Sequence, residues 1–147
     1  MGGGEGADSI SGGGGVDSIS GGPGNDAISA GGGDDFSIFG DEGSDTISGG
    51  GAKDGVYGGR GEDTLSGGNA KDIIDGGNGN DTISGNEGGD LIIGGDGEDR
   101  ISGGKGDDDL RARDGERDVL SCGNGRDRAR VDSRDLVSDS CEIVARG

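Results

Sequence analysis

The sequence predicts an all-β solenoid in which nine-residue units stack, two to a flattened turn, over about six turns. Three observations predict it. The first is a period: aspartate recurs as Asp8, Asp17, Asp26, Asp35, Asp45, Asp54, Asp63, Asp72, Asp81, Asp90, Asp99 and Asp108, each step being nine residues except one of ten between Asp35 and Asp45. The second is an aliphatic residue two places after nearly every aspartate: Ile10, Ile19, Ile28, Ile47, Val56, Leu65, Ile74, Ile83, Ile92, Ile101 and Leu110, with Ile38 delayed in the ten-residue unit. The third is composition: 41 of 147 residues are Gly, only 25 are Leu, Ile, Val or Phe, and the net charge is −18. So little apolar material with so much charge excludes an ordinary globular core. One aliphatic per unit becomes a core only when units stack.

The unit is G-G-x-G-x-D-x-U-x, with U aliphatic, and Gly3–Ser11 is a clean copy. Of twelve units, seven match the first six positions fully; five depart by one residue each, at Ala30, Asp41, Ala52, Ala70 and Asn86. The x-U-x segment is expected to be a three-residue strand whose alternation turns U to one side. The glycines before it allow positive φ and a tight bend. With strands about 4.8 Å apart, six turns run roughly 29 Å.

The absences exclude whole classes of function. There is no His, so neither a Ser-His-Asp nor a Cys-His nucleophile, nor a Cys/His zinc site, can be assembled, and no enzyme is expected. A single proline and the lack of a three-residue glycine period exclude collagen. The acidic charge has the wrong sign for nucleic acid. No apolar run nears the roughly 18 residues of a membrane span. Met1 is followed by Gly2, Gly3 and Gly4 rather than by a signal peptide, so any export signal is expected elsewhere.

The aspartates carry the functional signal. Their plain reading is solvated turn residues. Stacked about 4.8 Å apart along an edge, however, like charges repel. Calcium resolves the repulsion: Ca²⁺ takes about 6–8 oxygens from carboxylates and carbonyls, and glycine-rich loops expose carbonyls. Six loops on each edge leave five gaps, so up to about ten ions could bind, their charge close to offsetting −18.

The nonapeptide resembles the RTX (repeats-in-toxin) calcium-binding β-roll over residues 3–111. The resemblance implies a right-handed parallel β-roll that folds on binding Ca²⁺ after secretion. It also implies that the ligands are the twelve sixth-place aspartates, Asp8 through Asp108, with backbone carbonyls of the preceding loop residues. Ala52 and Ala70 replace the third glycine, where a Cβ is expected to strain the loop; Asp41 adds a carboxylate or disturbs packing, and Asn86 is a further departure. The ten-residue unit from Ala30 to Phe39 is expected to form a bulge.

The texture changes near Arg111. Residues 1–110 hold 23 acids and five bases, residues 111–147 eight of each. Residues 112–147 are expected to be a C-terminal cap with degenerate repeats, echoed in Asp118-Val119-Leu120 and Gly123-Asn124-Gly125-Arg126-Asp127. A cap is needed because the last turn leaves an open edge, and Val131, Leu136, Val137, Ile143 and Val144 are the residues to cover it. Cys122 and Cys141 would form a disulfide contributing about 3 kcal/mol, or remain two free thiols in a cytosolic protein. An extracellular compartment fits both the disulfide and weak calcium loops. The run from Asp118 through Cys122 and Asp127 to Cys141-Glu142 is similar to C-terminal ends of secreted actinobacterial RTX-like proteins.

Residues flanking U face outward. Odd units present a Ser/Thr ladder that resembles the ice-binding faces of other β-solenoids, or is simply soluble strand sequence. Even units present an apolar strip of Phe36, Tyr57, Ile73, Leu91 and Ile93, a partner surface or incidental exposure. Three functions follow: a non-enzymatic calcium-binding roll acting as folding switch, spacer or adhesive surface; a surface-recognition or self-assembling solenoid, associating through the apolar strip or an uncapped N-terminal end; and the calcium-binding tail of a larger secreted hydrolase or toxin.

Overall fold

The computed structural model describes residues 1–146, and of Ile143 the backbone only, so the covering role expected of Ile143 lies outside the described side chains. In chain order the strands are β1 (Ser9–Gly14), β2 (Ser18–Pro23), β3 (Ala27–Gly32), β4 (Ser37–Glu42), β5 (Thr46–Gly51), β6 (Gly55–Arg60), β7 (Thr64–Asn69) and β8 (Ile73–Asn78). They continue as β9 (Thr82–Glu87), β10 (Leu91–Asp96), β11 (Arg100–Lys105), β12 (Asp109–Ala112), β13 (Val119–Asn124), β14 (Arg128–Val131), β15 (Leu136–Val137) and β16 (Ile143–Arg146). Odd strands form one eight-stranded sheet and even strands a second, each in chain order and each pairing parallel. The chain therefore alternates between two sheets, two units per turn, as the period requires.

Two features exceed the expectation. Most strands run six residues rather than three, because the opening positions of the next unit also pair: Gly31 lies opposite Gly50 and Gly77 opposite Gly95. The solenoid also has eight turns rather than six, since β13 to β16, in the segment expected to cap the roll, add a strand pair to each sheet.

Like residues stack on like. Ile28 lies opposite Ile47, Ile47 opposite Leu65, and Ile74 opposite Ile92. Alternation turns two residues per strand inward: the aliphatic, and the first residue of the next unit. The inward aliphatics, one per unit from Ile19 to Leu120, are at most 3 % exposed and form one continuous core. Each such burial is worth about 1.5–3 kcal/mol. The second inward slot is narrow and holds glycine along most of the roll; Ala30, Ala112, Cys122 and Val131 fill it elsewhere.

At the sheet corners the backbone turns through positive φ. Gly24 has φ 147°, and a Cβ there would collide with the Gly6 carbonyl one turn away. Four of the five departures from consensus occupy this left-handed region without being glycine: Asp41 (78°), Ala52 (77°), Ala70 (77°) and Asn86 (74°). Ala30, the fifth, takes the inward slot instead. In the ten-residue unit the extra residue is Phe36: Asp35 and Ile38 keep their places, and Phe36 stands between Asp35 and β4. Gly55 faces this bulge, where a Cβ would come 2.6 Å from the Phe36 carbonyl.

The C-terminal end departs from the expected cover. Val131 is buried and Val137 packs partly on the core, but Leu136 and Val144 are 49 % and 40 % exposed. Leu136 stands opposite Val119 in the outward place of its strand, and Val144, opposite buried Ala129, lies on β16, the edge strand of the even sheet. The end is secured instead by the Cys122–Cys141 disulfide, Cα–Cα 5.1 Å.

On the outer face of the odd sheet, Ser11, Ser29, Ser48, Ser66, Ser84, Ser102 and Ser121 form one unbroken column. The parallel column of Thr46, Thr64 and Thr82 is interrupted by Ala27 and Arg100. On the even sheet Tyr57 stacks on Phe39, ring centroids 4.9 Å apart, and Ile73 pairs with Leu91. Phe36, expected in this strip, is displaced to the sheet corner, where Lys53 lies over its ring. Phe39 takes its place because the inserted residue shifts the phase of alternation.

Candidate metal centre

Each sixth-place aspartate sits where the corner loop ends and the next strand begins. Its carbonyl accepts the first strand N–H of the following turn, as in Thr46 N–H to Asp26 O at 2.8 Å. Its side chain points back into the stack. Oδ1 accepts the backbone N–H of the aspartate one turn earlier: Asp63 donates to Asp81 and Asp72 to Asp90, both at 2.8 Å. Repeated along each edge, this makes two ladders. One runs Asp8, Asp26, Asp45, Asp63, Asp81, Asp99. The other runs Asp17, Asp35, Asp54, Asp72, Asp90, Asp108. The twelve candidate ligands all lie in these rows.

The second carboxylate oxygen distinguishes them from ordinary turn aspartates. Oδ2 of each of the twelve is buried and has no hydrogen-bond partner. It lies over the first glycine of its own unit: a Cβ on Gly49 would approach Asp54 Oδ2 to 2.7 Å, and one on Gly67 would approach Asp72 Oδ2 to 2.5 Å. The carboxylate therefore favours glycine in the first place, as the sheet spacing does, though Ala30 and Cys122 also occupy it. A buried, unpaired carboxylate oxygen costs free energy, and the carboxyl pKa values register it. Burial pushes Asp63 and Asp108 up to about 6, and Asp72 and Asp81 up to about 7. Asp45, Asp54, Asp90 and Asp99 are raised for the same reason. The main-chain N–H bonds pull the other way, and for Asp72 and Asp81 neighbouring rungs add a smaller upward push.

These oxygens fit a hard cation. Among the described residues no three Asp, Glu, Cys or His side chains converge on one point. A cation between turns would accordingly take ladder carboxylates together with main-chain carbonyls, the oxygen-only set that suits Ca²⁺. The carbonyls are present: those of Gly6, Gly24, Gly43 and Gly61 accept no hydrogen bond from the described residues. Each projects along the stack toward the equivalent glycine of the next turn.

The ladders continue past the consensus units. Asp99 N–H donates to Asp118, and Asp118 N–H to Asp135; Asp108 N–H donates to Asp127, and Asp127 N–H to Glu142 Oε2. Asp118 is raised to about 7, again chiefly by burial. The period shows only echoes of these rungs, at Asp118 and Asp127, because the steps become ten, nine and eight residues.

The model of the RTX calcium-binding nonapeptide repeat matches in four copies, over residues 2–36, 37–65, 56–83 and 84–119. No curated protein sequence matches the chain. With the matches spanning most of the roll, and with a carboxylate ladder along each edge, the chain belongs to the RTX calcium-binding nonapeptide repeat family, whose repeats bind Ca²⁺.

Proposed function

We propose that the chain is a non-enzymatic module of a secreted protein whose roll is assembled by Ca²⁺, with the twelve ladder aspartates and the fourth-place carbonyls as ligands. The carrying observation is the row of buried Oδ2 atoms with no partner. Bound calcium supplies positive charge between like-charged turns. The aspartates do the rest: Oδ1 fixes the register of one turn on the next, and Oδ2 is held away from water, ready to ligate. The glycines close the loops so that carbonyls and carboxylates share one gap. Ions that bind only the folded roll stabilise it by about RT ln(1 + [L]/Kd) per site. The chain is thus a folding switch, unfolded where calcium is scarce and a rigid spacer where it is plentiful. Extracellular placement agrees with the Cys122–Cys141 disulfide and with the millimolar-grade affinity of extracellular calcium modules.

Calorimetric calcium titrations of two variants test the ligand assignment. Asp81→Ala is expected to lose affinity, whereas Ser84→Ala, on the outer sheet face, keeps it. Equal affinity in both variants would contradict the assignment.

A further inference from the structure

We infer that the loop 122–127 closes a calcium site beyond the twelve consensus units, and that the Cys122–Cys141 disulfide is its clasp. The inference rests on the reading of ladder aspartates as ligands. The loop, Cys-Gly-Asn-Gly-Arg-Asp, follows the last residue matched by the repeat family and carries cysteine where the first glycine belongs. Its backbone nevertheless repeats the consensus turn. Gly123 and Gly125 have φ 103° and 147°, against 112° and 124° for Gly104 and Gly106 one turn before. A Cβ on either would strike the carbonyl of its counterpart, so the carbonyls stack as they do along the consensus loops. Asp127 is 0 % exposed; its Oδ1 accepts Asp108 N–H at 2.9 Å, and its Oδ2 is buried without a partner.

In the other ladder the equivalent rung, Asp118, likewise keeps a buried Oδ2 without a partner, and the rung beyond it is Asp135. Asp135 Oδ1 accepts Asp118 N–H at 3.2 Å and Oδ2 accepts Asp132 N–H at 2.7 Å, so both oxygens are already satisfied. Asp135 is thus closed by protein, whereas Asp127 retains an oxygen for a cation.

What holds the loop 122–127 is a short segment around Cys141. Ser140 Oγ accepts the N–H groups of Cys122 and Gly123, both at 3.1 Å, and Glu142 Oε2 accepts Asp127 N–H at 2.5 Å. The disulfide joins the first residue of the loop to the residue between these two acceptors. Cutting it frees the segment that positions three of the loop's main-chain groups. Because coupling between two equilibria is reciprocal, calcium at this site protects the disulfide as much as the disulfide favours calcium.

Equilibrium dialysis with radioactive calcium counts the ions on the full chain, on Asp127→Asn, and on Asp72→Asn from a consensus loop. Each variant is expected to bind one ion fewer than the parent. An unchanged count for Asp127→Asn alone overturns this site; an unchanged count for Asp72→Asn overturns the ligand reading itself. The clasp is tested without mutation. Dithiothreitol delivers two electrons to the disulfide, giving two thiols while the reagent closes to its ring disulfide. Saturating Ca²⁺ is expected to shift the equilibrium with reduced and oxidised dithiothreitol about fivefold or more toward the protein disulfide, and the reduced chain to bind one ion fewer. Equal redox equilibria with and without Ca²⁺, or equal counts for oxidised and reduced chain, overturn the clasp even if Asp127→Asn fails to fold.

Discussion

Ala52 and Ala70 show what one methyl group does in this architecture. Both replace a corner glycine and both are held at φ 77°, a conformation that costs an L-residue about 1–2 kcal/mol. Asp41 and Asn86, with φ 78° and 74°, are better suited, since short polar side chains tolerate the left-handed region; Asn86 also donates to Ser66 Oγ at 2.9 Å. Ala70→Gly is therefore expected to stabilise the calcium-loaded roll. The gain is at most about 1 kcal/mol, because glycine also loosens the unfolded chain. A chemical-denaturation midpoint that falls in this variant would contradict the strain. That an alanine stands in a glycine place was legible in the sequence. That its φ is 77°, while Gly61 and Gly79 in the same place have 124° and 131°, required the fold.

An aspartate ladder behaves as one element, because each rung bonds to the next and those from Asp26 to Asp127 are buried. Asp63 and Asp108 titrate near 6 and Asp72, Asp81 and Asp118 near 7, all raised from 3.8 chiefly by burial. The folded, calcium-free roll thus binds more protons than the unfolded chain between about pH 4 and 7, so its stability falls as pH rises through that window. With the ladder aspartates as the proposed ligands, Ca²⁺ would replace those protons, so affinity should rise with pH over the same range. In EGTA the chain is expected to keep more β-structure at pH 4.5 than at pH 7.5; with calcium the order should reverse in the half-saturating concentration. Greater order at pH 7.5 in EGTA would contradict the buried, unpaired carboxylates. The ladder rows were legible because Asp and the aliphatic repeat with one period. The strand lengths were not: glycine has low strand propensity, yet Gly31, Gly50 and Gly68 pair in register because their neighbours on both sides do.

At the scale of the whole molecule, the protein has one core residue per strand, an inward glycine slot beside it, and a net charge of −18. Two buried aliphatics per turn cannot offset the entropy of ordering so much glycine, and the edge charges oppose stacking. In the proposed reading, calcium binding closes the difference. The same geometry explains why the last two turns were hidden: Ala112 and Cys122 stand in glycine's slot, and the aspartate steps lose their regularity after Asp108, though the backbone goes on stacking. The most direct measurement is far-UV circular dichroism during a CaCl₂ titration, with MgCl₂ as control and EGTA reversal at the end. A cooperative coil-to-β transition with Ca²⁺ alone, undone by EGTA, is predicted. A β-spectrum that is present before calcium and survives EGTA at neutral pH would contradict a roll built by its ions.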